Sequence, residues 1–476
     1  MKRLIISLCI TLCAVWPAFA AGQGAADPRT MTFAPLRYDI PKAERVVLDC
    51  GMPVYLLSDP ELPIINISAM ARTGSVYEPP GKAGLASMTG SVMRSGGAGG
   101  LAPDKMDEEL EFMASAVESS INSDMGTVML TSLTRNFSRT LRIFADVLLR
   151  PDFSEKRVDI ARKQMIEGLR RQNDDPKELA DREMTKAIYS GHPLGVVPTF
   201  SSVNAVTRQD LIDFHRRFYR VDNIILAVSG DFERGAMLKE LNAVFGPASA
   251  APPLALPAIP QPEPKFAPEV LYARKDVNQT VIRMGHLGLR KDNPDLYAVR
   301  VLDYILGGSF TSRLTMEIRT NQGLAYNVDS HFDIGRRFTG NFVATTETKA
   351  GTTGRTITLM KDIIADMTRK PITDQELKSA REYIINSFMF GFTSPATIVT
   401  QRARLEFYDY PPDYLETYRD RIARVTKDDV LAAARKYLKP AAFKLIVVGD
   451  AARFDMPLST FGSVHEIDLR QDLTGE

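Results

Sequence analysis

Histidine, cysteine and net charge are all in short supply in this sequence. Its 476 residues carry 5 histidines, 3 cysteines and 59 Lys+Arg against 58 Asp+Glu, a formal charge of +1. Near-neutrality leaves no electrostatic footprint for a nucleic acid or an acidic membrane. The histidines are His192, His215, His286, His331 and His465, and even the nearest two lie many helical turns apart. A zinc-binding helix presents ligands one turn apart on one face, and no such pair exists here. His192, in the turn-rich Gly191-His192-Pro193-Leu194-Gly195, reads as a structural hydrogen-bonder, and His215 as a half-buried helical residue. His286 and His331 fall in alternating, strand-like stretches. Gly-x-Ser-x-Gly, a Walker sequence and Gly-x-Gly-x-x-Gly are likewise missing, so the Gly307-Gly308-Ser309 turn is neither a nucleophile elbow nor a phosphate cradle.

Long apolar runs are also lacking, apart from one at the start. Lys2 and Arg3 precede the apolar stretch Leu4 to Trp16, and Ala18-Phe19-Ala20 supplies a small-x-small cleavage site. The run is short of the ~20 residues that span a bilayer, so residues 1–20 read as a cleavable signal peptide and not a transmembrane anchor. An exported protein is expected, with the periplasm as its address. Cleavage would remove Cys9 and Cys13, leaving Cys50 alone, and one cysteine makes no internal disulfide. Cys50 closes the strand-like run Arg45 to Cys50 and reads as a small core residue.

The length is several times that of a typical domain of roughly 150 residues. A proline-rich stretch from Gly246 to Pro268, with prolines at 247, 252, 253, 257, 260, 262, 264 and 268, divides the chain. Proline fixes φ and lacks a donor, so this segment is expected to be a semi-extended linker outside either core. The flanking halves repeat each other at one constant offset, which pairs Ser154 with Thr373, Val206 with Val425, and Gly230 with Gly449. A constant offset at three places marks a duplication. Thr207 and Thr426 look like helix N-caps with an acidic residue three positions on, and each half closes on a buried strand ending in Gly-Asp. In the first half, helices are expected at 103–114, 137–149, 154–172 and 176–189, with strands around 117–122 and 127–133. The fold class is α+β: two homologous domains, each a mainly antiparallel sheet with helices on one face, joined by the linker as a clam-shell.

One segment is more specific. Leu306-Gly307-Gly308-Ser309-Phe310-Thr311-Ser312-Arg313 feeds a helix that Gly323 ends, and Leu324-Ala325-Tyr326-Asn327-Val328 begins a strand. Arg319 thus lies in the last helical turns and Tyr326 at the strand entry, where both can project to the same side of the connection. The plainer alternative is an arginine favoured by the helix C-terminus and a tyrosine covering the sheet.

Here the chain resembles the pitrilysin/insulinase family of zinc peptidases, whose members include the subunits of the mitochondrial processing peptidase. The resemblance rests on LGGSFTSRLTMEIRTNQGLAYNV in the second half. In the first it rests on Gly84-Leu85-Ala86, on His192-Pro193-Leu194-Gly195 and on Val206–Phe232. In that family an inverted zinc motif, His-x-x-Glu-His, follows Gly-Leu-Ala. This chain instead reads Ser87-Met88-Thr89-Gly90-Ser91, with serine at both histidine positions and glycine at the general-base glutamate. The family's third ligand maps to Gly168, or to Glu167 if the alignment slips by one, and Ser119-Ser120-Ile121-Asn122 departs from the family's cleft-lining strand. A lone carboxylate does not hold zinc, and glycine does not deprotonate water. Arg319 and Tyr326, by contrast, match the pair with which family members bind a substrate carbonyl.

The resemblance therefore implies a non-catalytic subunit of an exported heterodimeric zinc peptidase, with no cofactor of its own. A homologous partner would supply the zinc, Arg319 and Tyr326 would supply substrate binding, and the substrate would be an extended peptide. The alternative is a non-hydrolytic peptide-binding or structural protein on the same fold. A third possibility is a self-sufficient enzyme with relocated metal ligands.

Overall fold

The computed structural model describes residues 40–246 and 254–470. Residues 1–39, which include the expected signal peptide, and linker residues 247–253 lie outside the described residues. No described helix is long and apolar enough to cross a membrane.

Two six-stranded sheets organise the chain. The first half contributes β1 (Glu44–Val47), β2 (Pro53–Ser58), β3 (Ile64–Ala71), β4 (Ala116–Ile121), β5 (Gly126–Leu133) and β6 (Ile224–Gly230), in the order β1-β2-β6-β3-β5-β4. The second contributes β7 (Glu269–Arg274), β8 (Gln279–Leu287), β9 (Ala325–Asp333), β10 (Asn341–Lys349), β11 (Lys444–Gly449) and β12 (Val464–Glu466), in the order β12-β7-β11-β8-β10-β9. Leaving out the outermost β1 and β12, the two sheets have one topology. Each is antiparallel except for the pairing of its first long strand with its last, β2 with β6 and β7 with β11. The duplication legible in the sequence is thus a duplication of fold.

The local signals act as physical chemistry requires. Thr207 Oγ1 accepts from the Asp210 N–H at 3.2 Å while the Asp210 carboxylate accepts from the Thr207 N–H at 2.8 Å. Thr426 and Asp429 repeat this box at 3.1 and 2.8 Å, satisfying backbone donors that a helix start leaves orphaned. The expected helices lie at Pro103–Phe112, Phe137–Leu149, Glu155–Arg171 and Pro176–Ile188, and the first three pack on one face of the first sheet or beside it. The strand expected over Arg45 to Cys50 stops at Val47. Leu48 to Gly51 form a turn, and Cys50 packs half-buried against the first core.

The other face of each sheet holds a difference from expectation. Helix Pro176–Ile188 of the first half lies on the second sheet, where Leu179, Ala180, Met184 and Ile188 meet Val281, Val343, Ile446 and Val448. Helix Pro395–Phe407 of the second half lies on the first sheet, where Val399, Ala403 and Phe407 meet Met70, Ile225 and Ala227. The halves therefore exchange a helix each, and residues 40–470 form one compact unit. This explains why β8 does not alternate: all but its first residue are buried, because both faces are covered. His286 within it is neutral scaffold. Its Nδ1 bonds the Leu287 carbonyl at 2.8 Å, its Nε2 accepts from the Lys439 N–H at 3.2 Å, and burial pushes its pKa down to about 4.

From Leu254 on, the proline-rich segment is a strap rather than a free tether. Leu254 and Leu256 pack against the first core, contrary to the expectation that the linker belongs to neither. Pro260 gives its carbonyl to His192 Nε2 at 2.9 Å, and Gln261 accepts from the Thr339 N–H at 2.9 Å. His192 is thereby the structural hydrogen-bonder expected of it. His215 is fully buried rather than half-buried, with Nε2 on the Leu148 carbonyl at 3.0 Å.

Candidate functional site

The helix Leu85–Ser95 carries the positions where the sequence departs from the zinc motif. It begins at Gly84, whose φ of +102° suits glycine and whose added Cβ would lie 2.9 Å from Met165 Sδ. No side chain of Gly84 is available to cap the helix, and Glu78 does so instead. One carboxylate oxygen accepts from the Gly84 N–H at 3.1 Å and the Ala86 N–H at 2.7 Å. Burial nevertheless pushes the Glu78 carboxyl up to about 7.

Along this helix Leu85, Ala86, Met88, Thr89, Gly90, Val92 and Met93 are buried, while Ser87 and Ser91, one turn apart, share the exposed face. Gly90 is where the helix touches β4. A Cβ there would sit 2.5 Å from the Ile121 backbone nitrogen, and Ser119 Oγ donates to the Gly90 carbonyl at 2.6 Å. The close approach depends on glycine. A longer side chain at 90 needs β4 to move.

Gly168 lies exposed on the neighbouring helix Glu155–Arg171. The Glu167 carboxylate beside it is held by Arg170 at 3.2 Å and Arg171 at 3.0 Å on its own helix. Two neutral hydroxyls, a glycine packed on a strand and a carboxylate already paired do not make a zinc site, which takes imidazole, thiolate or free carboxylate. Ser87, Gly90, Ser91 and Gly168 thus do not fit the metal that the family motif holds.

The second half positions Arg319 on an unusual element and Tyr326 on the strand that follows it. Residues Thr315–Asn321 form a π-helix, widened by hydrogen bonds such as Gln322 N–H to Glu317 O at 3.0 Å. Such turns are uncommon and concentrate at functional sites. The turn is anchored at its start. Arg313 grips Glu376 with two hydrogen bonds of 2.7 and 3.0 Å, and Thr315 Oγ1 donates to the Val328 carbonyl of β9 at 3.0 Å. At its end Gly323, with φ +61°, turns the chain into β9.

Arg319 and Tyr326 meet as their sequence positions suggest. The Arg319 Cζ lies 5.1 Å from the Tyr326 ring centre and 5.5 Å from that of Phe310. Both rings face solvent, Tyr326 at 85% and Phe310 at 79% exposure. Among the described residues the guanidinium has no carboxylate partner, and its donors remain available. An arginine held between two aromatic rings has lost much of its rotamer freedom already. Phe310 lay unremarked in the sequence, because nothing in its spacing marks it as a wall for Arg319.

A duplicated α+β chain of this topology, with an emptied helix in one half and an arginine–tyrosine pair in the other, defines a class of degenerate two-domain peptidase homologues. Comparison with known proteins agrees. Residues 54–197 match the model of the insulinase family, peptidase family M16, and residues 205–384 match that of the peptidase M16 inactive domain. The chain belongs to the insulinase (M16) family. Similar proteins include the Uncharacterized zinc protease YmxG of Bacillus subtilis, 22% identical over 76% of this chain and 88% of the relative. The Non-peptidase homolog YmxG of Helicobacter pylori is 25% identical over 71% of this chain and 77% of that one. Among solved structures, a peptidase M16 inactive domain from Pseudomonas fluorescens superposes with a TM-score of 0.77 at 27% identity, covering 86% of this chain and 98% of that one. A protease from Helicobacter pylori shares the fold with a TM-score of 0.75 at 19% identity, covering 86% and 100%.

Proposed function

We propose that this chain is the non-catalytic subunit of an exported heterodimeric zinc peptidase. Its signal peptide would be residues 1–20, its two peptidase-like domains residues 21–245 and 269–476, and its linker residues 246–268. A homologous partner supplies the zinc and the general base, and this chain carries no cofactor. The observation that carries the reading is the Arg319–Tyr326 pair. Arg319, half-buried on the π-helix, and the exposed Tyr326 at the start of β9 stand unspent, although the half that would hold zinc lacks the motif.

The chemistry of the pair is that of a carbonyl clamp. The guanidinium, 5.1 Å from the Tyr326 ring centre, and the phenol O–H are both hydrogen-bond donors. Aimed at one peptide oxygen, they stabilise negative charge as it develops there. Phe310 and the Tyr326 ring hold the guanidinium in place, so Tyr326→Phe keeps the platform and removes the donor. An extended peptide would lie across this face.

The test is cleavage of an unstructured peptide by the chain alone, by the zinc-bearing homologue alone, and by both. Activity is expected only with the homologue present and highest with both. Arg319→Ala is expected to lower the rate of the pair by about a hundredfold, the scale of one lost oxyanion donor. Zinc-dependent cleavage by this chain alone would refute the reading. A second reading, non-hydrolytic peptide binding or assembly, is favoured by the similarity to the Non-peptidase homolog of Helicobacter pylori. It requires that Arg319→Ala leave the partner's rate unchanged.

A further inference from the structure

A second concentration of arginine lies away from Arg319, in a cavity of about 340 Å³ within the helical part of the second half. Arg300 comes from helix Leu296–Leu306, Arg336 from the loop after β9, and Arg404 from helix Pro395–Phe407. Tyr410, Tyr414 and Tyr418 bring their rings to the same space. No carboxylate lines it.

None of the three guanidinium groups forms an ion pair among the described residues. Arg336 hydrogen-bonds the neutral hydroxyls of Tyr408 and Tyr410, and Arg404 Nε is buried with no hydrogen-bond partner. Burial and the Arg336 charge together push the Arg404 pKa down. On the Arg300 side the charge is felt by Asp303, one turn along the same helix. It is buried, spends an oxygen on the Phe332 N–H at 2.9 Å, and is pushed up to about 7 by burial. Asp124 feels the Arg336 charge and accepts from the Tyr408 hydroxyl at 3.0 Å, but it does not line the cavity. The three like charges gathered here are thus only partly offset and are unfavourable by themselves. Other arginines of the chain are gripped by carboxylates, as Arg313 by Glu376 and Arg45 by Glu406. Three arginines without such a partner around one cavity call for an anion there.

We propose that this cavity binds a phosphomonoester of a small organic molecule. A dianionic phosphate offers three oxygens to arginine forks and tyrosine hydroxyls, where a carboxylate offers two and one charge. The volume falls at the lower end of small-ligand pockets, larger than phosphate needs. Phe388, Phe392, Leu405 and Leu415 provide apolar wall for the organic body. The site is separate from Arg319, and the inference does not rest on the peptidase reading.

Titration calorimetry of the full chain with phenyl phosphate, and with benzoate as the carboxylate counterpart, tests it. Saturable one-to-one binding of phenyl phosphate is expected, about tenfold or more tighter than benzoate. Arg300→Gln and Arg404→Gln are each expected to weaken it by about tenfold, and Arg404→Lys to recover only part. Arg319→Gln is expected to leave it unchanged, which keeps this result independent of the peptidase test. Circular dichroism melts of each variant separate lost binding from lost folding. Sedimentation with phosphatidate vesicles then assigns the phosphomonoester to a lipid, and its failure to a soluble molecule. Absence of saturable binding at millimolar phenyl phosphate, equal affinity for benzoate, or binding indifferent to both glutamine variants would overturn the proposal.

Discussion

At the scale of single residues, Gly90 is held by its packing. β4 lies against the helix there, and the 2.5 Å approach to the Ile121 nitrogen excludes even a methyl group. Ser87 and Ser91 are different, since both face solvent and histidine is accommodated at either. Gly90→Ala is therefore expected to destabilise the chain by about 1–3 kcal/mol, the usual scale of overpacking. Ser87→His with Ser91→His is expected to be near neutral. Urea midpoints measure both, and equal midpoints for all three proteins would show that β4 yields freely. Restoring the two histidines without the glutamate is expected to give no hydrolysis, because no base would face the water.

At the scale of elements, two buried ionisable groups pull stability in opposite directions with pH. His215 is held neutral in its helix, its pKa pushed from about 6.5 to about 4 by burial. A depressed base favours the fold above its ordinary value, so its contribution is full above pH ~6.5 and lost as the pH falls toward 4. Glu78, capping the Leu85–Ser95 helix, is raised from 4.5 to about 7. A raised acid favours the fold when protonated, so its contribution is full below pH ~4.5 and lost as the pH rises through 7. Each effect is bounded by about 3 kcal/mol. Denaturant midpoints at about pH 5 and about pH 8 should show His215→Gln reducing the loss of stability on the acid side. Glu78→Gln should instead gain relative stability at the alkaline pH. Shifts of the same sign for both variants would contradict this assignment.

At the scale of the whole molecule, the exchanged helices make each half depend on the other. Phe407 is fully buried against the first sheet although it belongs to the second half. Phe407→Ala is expected to destabilise by about 3–5 kcal/mol, with both sheets unfolding in one transition. Breaking the backbone within residues 247–253 should leave the two pieces associated through chromatography, since Pro176–Ile188 and Pro395–Phe407 hold them without it. Separation of the pieces under native conditions would show that the strap carries the association. A peptidase partner would meet one compact unit.

Much of this was legible in the sequence because the signals are local. Capping at Thr207 and Thr426, the buried strands ending at Gly230 and Gly449, and the constant offset between halves all depend on neighbours in the chain. The family motif is also a local string, so the serines and glycine at 87, 90 and 91 and the pair at 319 and 326 could be named from it. Three things were decided only in three dimensions. Which sheet a helix covers is a matter of packing partners far apart in sequence, so the burial of β8 on both faces escaped a reading based on alternation. The widening of residues 315–321 into a π-helix and the stacking of Phe310 on Arg319 depend on anchors at Glu376 and Val328. The gathering of Arg300, Arg336 and Arg404 joins three elements that no spacing rule connects. The sequence by itself determined the duplicated α+β fold and the emptied zinc motif, since these are written in periodicity and short strings. Only the tertiary structure decided which charges stand unpaired and which faces are covered, since both follow from contacts between residues distant along the chain.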